Sequence, residues 1–498
     1  MWNIDLMEET QAPRGFIGKG SAITLTGQGA KILLQLASTA ILGRLLVPSD
    51  FGLMGMITPL LTFFIIFRDL GLSNVAVQRS HISSQEITNL FWINVGAGCL
   101  LAAVVAGFGP AAATFYHDAR LRAVITFLSA TFVVNGISAQ YLALLQRTFK
   151  ISQLVLIDVT STALGVAAGI GAAWKGFGYW SLAIAPVTTQ SISLALAVTT
   201  SRWQPGLPRL DRQVLSMLYT GAGFAGFNLF NFLSRNLDNI LVGRTLGEAT
   251  LGYYSRAYNL MLVPLSQVTN PLAQVMIPAL SRLTSDPPAY RAAYLGMLQK
   301  VMFFCCPIIM ANIVGADWTV GLLLGPNWTP AAELYMVLGI SALAQPVGNS
   351  TGWLLISQGR SKDMLRWGIF SSIAIVASFI IGLHWGVLGL AWSYTAAITF
   401  IITPALWYWV GRRGPVGFGD LAGATLPFLL VSGLDGFIFF LARHYWTPSP
   451  VPGLIAAVAW HFAAQVGLLS LHPHTRPVIR DIGAVVTRII TYRVALLG

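Results

Sequence analysis

The chain has 498 residues, 55% of them hydrophobic and only 10% charged, where a typical soluble domain has about 25% charged. A mean hydropathy of +0.68 leaves too little polar surface to cover water-soluble cores, so a soluble protein is excluded and an all-α polytopic membrane protein is expected. The net charge of +12 does not indicate nucleic acid, because the basic residues stand in short clusters between apolar runs rather than on one water-facing surface.

Residues 1–15 carry Glu8 and Glu9 and no apolar core, so a cleaved signal peptide is not expected. With about 20 apolar residues per span, fourteen candidate spans follow in order, centred near Leu34, Leu60, Gly98, Val133, Leu164, Thr189, Phe227, Val263, Pro307, Leu343, Ala374, Ala397, Val431 and Val458. The seventh and eighth are the least apolar, which leaves twelve or thirteen as the other counts. The runs are too long for strands and lack the alternation of a membrane barrel. Pro264, Pro271 and Pro278 recur every seven residues on nearly one face of the eighth span, and the spacing predicts that this helix bends there. Cys99, Cys305 and Cys306 all lie in apolar stretches, so no disulfide is expected.

Basic residues alternate with the spans. One side holds 20 of the 30, in the N-terminus, every second loop and the tail; the other holds six (Arg44, Arg120, Arg122, Lys175, Arg244 and Arg443). The remaining four, Lys31, Arg235, Arg256 and Lys300, lie within spans. This asymmetry predicts that both termini are cytoplasmic.

The segment Ile41–Gly52 can be set against Leu241–Gly252, and Gly43/Gly243, Arg44/Arg244, Leu46/Leu246 and Gly52/Gly252 then coincide at an offset of 200. Both copies leave an odd-numbered span, so the halves share one orientation and form a parallel pseudo-repeat of two six-helix lobes plus two extra C-terminal helices. The expected divisions are a cytoplasmic N-terminus at 1–20, a first lobe at 21–205, a second at 206–415, spans thirteen and fourteen at 416–472, and a cytoplasmic tail at 473–498. No P-loop occurs, which excludes ATP hydrolysis and points to a secondary transporter.

The run from Ser234 through Gly247, then Leu251–Leu260, Pro264 and Pro278–Arg282, resembles the seventh- and eighth-helix signature of Wzx-type lipid-linked oligosaccharide flippases. The likeness is to the colanic-acid-exporter branch of the multidrug/oligosaccharidyl-lipid/polysaccharide superfamily. Gly43–Leu46 with Asp50–Gly52 resembles the same family's opening. The resemblance implies a V-shaped pair of bundles around a cationic cavity in the bacterial inner membrane. It further implies transfer of an undecaprenyl-pyrophosphate-linked repeat unit from the cytoplasmic to the periplasmic leaflet, for exopolysaccharide, O-antigen or capsule synthesis. Membrane lipids surround such a protein, and a polysaccharide polymerase and export machinery are its candidate partners.

A diphosphate crossing hydrocarbon needs cationic company. Lys31, flanked by Gln28 and Gln35 at helical spacing, sits mid-span, where a basic residue costs about 2.5–3.5 kcal/mol unless partnered. It either lines the cavity or pairs with a carboxylate such as Asp158. Arg256 corresponds by topology to a cationic position that the lipid II flippases of the superfamily use, which the resemblance assigns to diphosphate binding. Arg235 and Asp238, at i and i+3, either pair on one helix face or serve substrate and coupling ion respectively. Asp158 and Asp238 are the candidate coupling carboxylates, with H+ or Na+ as the ion; no other cofactor and no metal are expected. Gly165, Gly169 and Gly171 read as close helix packing, His117 with Asp118 as a solvated pair, and Arg44 with Arg244 as architectural. Asp435 lies outside the repeat and receives no role. Two other functions were weighed. A cation-coupled drug exporter favours an acidic pocket, which the cationic set argues against. A membrane polymerase or ligase needs a large catalytic loop, which the short connections lack, so the chain is not expected to be an enzyme.

Overall fold

A computed structural model describes residues 16–68, 83–208, 212–446, 448–471 and 475–483, which are overwhelmingly helical. The helices are α1 (Phe16–Leu45), α2 (Pro48–Arg68), α3 (Ser84–Tyr116), α4 (Arg120–Arg147), α5 (Ile151–Trp174), α6 (Trp180–Ser201) and the long α7 (Arg212–Arg282). They continue as α8 (Pro287–Val314), the short α9 (Ala316–Leu323), α10 (Thr329–Ala342), α11 (Gln345–Ser357), α12 (Ser361–Leu383), α13 (Gly386–Gly411), α14 (Phe418–Arg443) and α15 (Pro450–Leu471).

Thirteen of the fourteen expected centres fall inside a helix, and Leu343 falls at the 41° bend that joins α10 to α11. Among the described residues, 10 helices are long and apolar enough to cross a membrane, or 11 with the bent pair counted as one span. Neither α1 nor α7 is among the ten; these helices carry Gln28, Lys31 and Gln35 on one and Asp238, Arg244, Glu248 and Arg256 on the other. The exact number of spans is therefore not fixed at fourteen.

Local chemistry sets the helix ends. Ser83 and Glu86 form a reciprocal capping box at the start of α3, with hydrogen bonds of 3.2 and 2.7 Å, a device that contributes about 1 kcal/mol. Asp286 caps α8 by accepting the Ala289 N–H at 3.1 Å, with Pro287 occupying the first helical position, where no N–H is needed. The proline trio does not break α7. Its only non-helical residue is Gly247, at φ 84° and ψ 175°, a conformation that suits glycine. A proline removes one hydrogen bond, which membrane helices tolerate when neighbours satisfy the freed carbonyl; the non-helical dihedrals of Gly247 put a kink between two helical stretches.

Two compact units divide the chain, Met1–Gly252 and Tyr253–Gly498. In the first, α3 pairs with α4, α5 with α6, and α1 with α5. Small residues permit these approaches: a Cβ on Gly98 would stand 2.6 Å from the Phe132 carbonyl oxygen, and Gly165 and Gly169 press against Thr189 and Ala185 of α6. Gly171, expected to pack likewise, instead faces open space. In the second unit α8 is the hub, with Tyr290, Tyr294, Leu298, Met302 and Cys306 all buried. The Tyr290 hydroxyl meets Ser357 Oγ at 2.6 Å and that of Tyr294 meets Ser350 Oγ at 2.9 Å, which ties α8 to α11.

Candidate functional site

The first unit holds a cavity of about 530 Å³ with a mixed lining, in which Asn94, Asn135, Ser138, Gln146, Asp158 and Ser193 stand among apolar side chains such as Leu142, Leu154 and Ile157. Its residues come from α1, α3, α4, α5 and α6, and Gly98 and Gly136 among them let α3 and α4 approach closely. Amides, hydroxyls and a carboxylate in a helical bundle destined for lipid can hydrogen-bond water or a polar ligand. Asp158 of this lining accepts from Lys31 Nζ at 2.8 Å through Oδ2 and at 3.0 Å through Oδ1, joining α1 to α5. The pair is only partly buried, with side-chain exposures of 25% for Lys31 and 55% for Asp158. Of the alternatives that the sequence left open for Lys31, the pairing is realised, with Asp158 on the lining of the cavity.

A second cavity, of about 660 Å³, lies where the α1–α2, α3–α4 and α5–α6 turns meet the break in α7, all within the first unit. Arg120 donates to Asp118 through Nε at 3.0 Å and Nη2 at 2.6 Å, and Nη2 also reaches Glu248. Arg120 lies over the Tyr179 ring at 5.6 Å and Arg244 over Phe115 at 5.6 Å, geometries that favour the guanidinium. His117 and Asp118 are thus not a solvated pair; the Asp118 side chain is only 15% exposed and belongs to an ion network.

The glycines of the internal repeat explain the closeness of this end. An added Cβ on Gly52 would overlap the Glu248 carbonyl, and one on Gly252 would overlap the Pro48 carbonyl. Position 52 therefore meets 248 while position 48 meets 252, so each repeat copy presents the same two positions to the other.

The Arg120 guanidinium holds the Asp118 carboxyl below its ordinary value of 3.8, chiefly through their hydrogen bond. A lowered carboxylate value stabilises the fold above the ordinary value, and that contribution is lost as pH falls through the lowered one. A partly exposed pair of this kind contributes about 0–1 kcal/mol. Asp118→Asn should therefore lower the melting temperature slightly at neutral pH, with the difference from the parent protein vanishing in strong acid. Differential scanning of the solubilised protein checks this, and a gap that widens on acidification would contradict it.

The other expected site residues are not gathered with Lys31 and Asp158 into one described cluster. Asp238 is buried at 2% exposure and its Oδ1 accepts the Asn239 N–H at 2.8 Å. The Arg235 side chain lies outside the described ones. Arg256 belongs to the second unit and is half-buried on α7 after the Gly247 break. Nearby on the same helix, Tyr253 meets Trp328 edge-on at 5.9 Å, and Tyr258 stacks on Tyr254 with its hydroxyl 3.4 Å from that of Tyr394. Among the described residues no His, Cys, Asp or Glu cluster has the geometry to hold a metal ion. The sequence reading missed the Arg120–Glu248 pair, whose partners are 128 residues apart, and a buried pair between Asp435 and His461.

The profile of a family described as "polysaccharide biosynthesis protein" matches residues 41–333. The lipopolysaccharide biosynthesis protein WzxC of Escherichia coli (strain K12) is 24% identical over 355 residues, covering 70% of this chain and 71% of that protein. The teichuronic acid biosynthesis protein TuaB of Bacillus subtilis (strain 168) is 25% identical over 463 residues, covering 89% of this chain and 93% of its own. Among solved structures, the lipid II flippase MurJ in an inward closed conformation superposes with a TM-score of 0.72 at 11% identity, over 90% of this chain and 98% of MurJ. At that identity the likeness establishes a shared transporter fold.

Proposed function

The chain belongs to the polysaccharide biosynthesis protein family, and on that premise we propose that it flips undecaprenyl-pyrophosphate-linked oligosaccharide repeat units from the cytoplasmic to the periplasmic leaflet by alternating access. It is a transporter rather than an enzyme, placed in the bacterial inner membrane with both termini cytoplasmic. The observation that carries the reading is the cavity in the first unit, whose lining includes amides, hydroxyls and the Asp158 carboxylate paired with Lys31, set in a chain whose fold matches a lipid II flippase. A glycan headgroup has many hydroxyls and needs donors and acceptors along its path, while its lipid tail stays in hydrocarbon.

Lys31, Arg256 and Arg235 form the proposed diphosphate-binding set, and Asp158 and Asp238 the proposed coupling carboxylates. The Lys31–Asp158 pair suggests how the two tasks connect. A proton or Na+ at Asp158 cancels its hold on the ammonium and frees Lys31 for a phosphate oxygen; departure of the ion restores the pair. A cation-drug exporter fits less well, because the carboxylate it would present is already neutralised by Lys31. The lobes proposed at 21–205 and 206–415, with α14 and α15 outside them, supply the alternating access, and a polymerase with export machinery would take up the flipped unit.

Depletion of the protein in its host tests the reading. Lipid-linked repeat units should accumulate on the cytoplasmic leaflet, inaccessible to periplasmic enzymes, while polymer disappears. Loss of polymer without that accumulation would refute flipping.

A further inference from the structure

The two helices outside the repeat carry a polar cluster with no part in the reading above. Asp435 on α14 and His461 on α15 are buried at 4% and 2% exposure, and the imidazole Nδ1 meets the carboxylate Oδ2. The Trp460 indole N–H donates to Oδ1 at 2.7 Å. One turn beyond His461, Gln465 is 1% exposed, and the i, i+4 spacing sets both side chains on one helix face. His461 Nε2 and both amide atoms of Gln465 are buried without a hydrogen-bond partner among the described residues.

Charge counting gives this cluster a function. The indole can only donate, so Oδ1 is an acceptor, and the Oδ2···Nδ1 contact holds a single proton. With Nε2 bare, the pair carries one net negative charge. With a proton on Nε2, it is neutral. Among the described residues no Lys or Arg pairs with Asp435, and a net charge in dry packing is costly.

At the two ends of α14 the charged groups of the surrounding elements are paired. Arg291 of α8 pairs with Asp420 of α14 at one end. Arg443 of α14 pairs with Asp317 of α9 at the other, where it also donates to the Val314 carbonyl and covers Trp318 at 4.1 Å. Lys300, Cys305, Cys306, Tyr290 and Tyr294 lie on α8, Tyr408 and Arg412 at the end of α13, and Arg476, Arg480 and Asp481 in the segment after α15. The packing beside Asp435 is close, since a Cβ on its neighbour Gly436 would overlap Met310 of α8.

We propose that Asp435 and His461 form a proton-binding site, distinct from the Lys31–Asp158 pair, in which one proton adds to and leaves His461 Nε2 beside the Gln465 amide. The only bond made or broken is N–H; the proton comes from and returns to water. Proton binding stands independently of the flippase reading. The use of the proton to drive movement rests on that reading and names H+ as a coupling ion.

Both parts are tested on the full-length chain in lipid nanodiscs and liposomes. With nitrogen-labelled histidine, the His461 resonances (identified by their loss in His461→Gln) should switch between neutral and imidazolium patterns across the pH range in which the protein stays folded. The switch should vanish over that range in Asp435→Asn. A His461 that keeps one protonation state throughout, or that titrates identically in Asp435→Asn, overturns the site. In liposomes with an imposed pH gradient, undecaprenyl-pyrophosphate-linked glycan from the host should cross about tenfold faster in the favourable direction, and His461→Gln should cross at a rate blind to the gradient. A variant with the parent's gradient response overturns the coupling. A parent protein that binds the proton yet moves no glycan supports the site and refutes the flippase reading instead.

Discussion

Valine at position 52 or 252 is expected to abolish polymer export, whereas alanine at Gly171 leaves it intact. At Gly52 and Gly252 the hydrogen of glycine is all that fits, because each position presses on a backbone carbonyl of the other repeat copy, Glu248 and Pro48 respectively. Overpacking costs about 1–3 kcal/mol where side chains can yield. Here the obstacle is main chain, which has no rotamer to change, so the turn itself must retreat. That retreat carries Glu248 away from Arg120 and opens the ion network around Asp118. Gly171 has no atom within 4 Å of an added Cβ, and a helical glycine replaced by alanine gains about 0.5–1 kcal/mol. Polymer yield per unit of membrane-inserted protein, with melting of the solubilised variants, separates the cases. Normal export by both valine variants would mean that the reciprocal contact has no part in transport.

What the sequence revealed and what it concealed follow from the range of the interactions. Apolar runs are local, so the helices lie where hydropathy placed them, and even Leu343 marks the bend of a broken pair. The 200-residue offset survives as physical contact because repeat turns need glycine at equivalent points. Lys31 and Asp158 were linked by a simple requirement: a charge in hydrocarbon needs an opposite one, and few were available. The Arg120–Glu248 pair had no such signal, since one residue starts α4 and the other follows the break in α7, at ends where water could have satisfied them. The interruption of α7 at Gly247 falls within Leu241–Gly252, where the repeat places the turn between the seventh and eighth spans. Asp435 was set aside for lying outside the repeat. The same requirement that linked Lys31 to Asp158 would have paired it with His461, the only titratable side chain of α15.

Removing both charges of the Lys31–Asp158 pair should leave an abundant, inserted protein that exports poorly. Lys31→Gln alone strands the Asp158 carboxylate, and Asp158→Asn alone strands the ammonium. For a fully buried pair such orphaning costs about 3–5 kcal/mol, but exposures of 25% and 55% allow solvent to recover much of that, so each single variant should show reduced yield rather than absence. The double variant strands nothing, and its yield should return towards the parent's. Export should not return with it, because the ammonium that meets the diphosphate is gone. A loss of about tenfold corresponds to 1.4 kcal/mol at the barrier, well within what one charge-assisted hydrogen bond contributes. Were the pair only a clamp between α1 and α5, yield and export would rise and fall together across the three variants. The measurement that matters is therefore the ratio of leaflet transfer to inserted protein in the double variant. A ratio equal to the parent's would assign Lys31 and Asp158 to architecture alone, whereas a low ratio at normal abundance ties the cation to the headgroup.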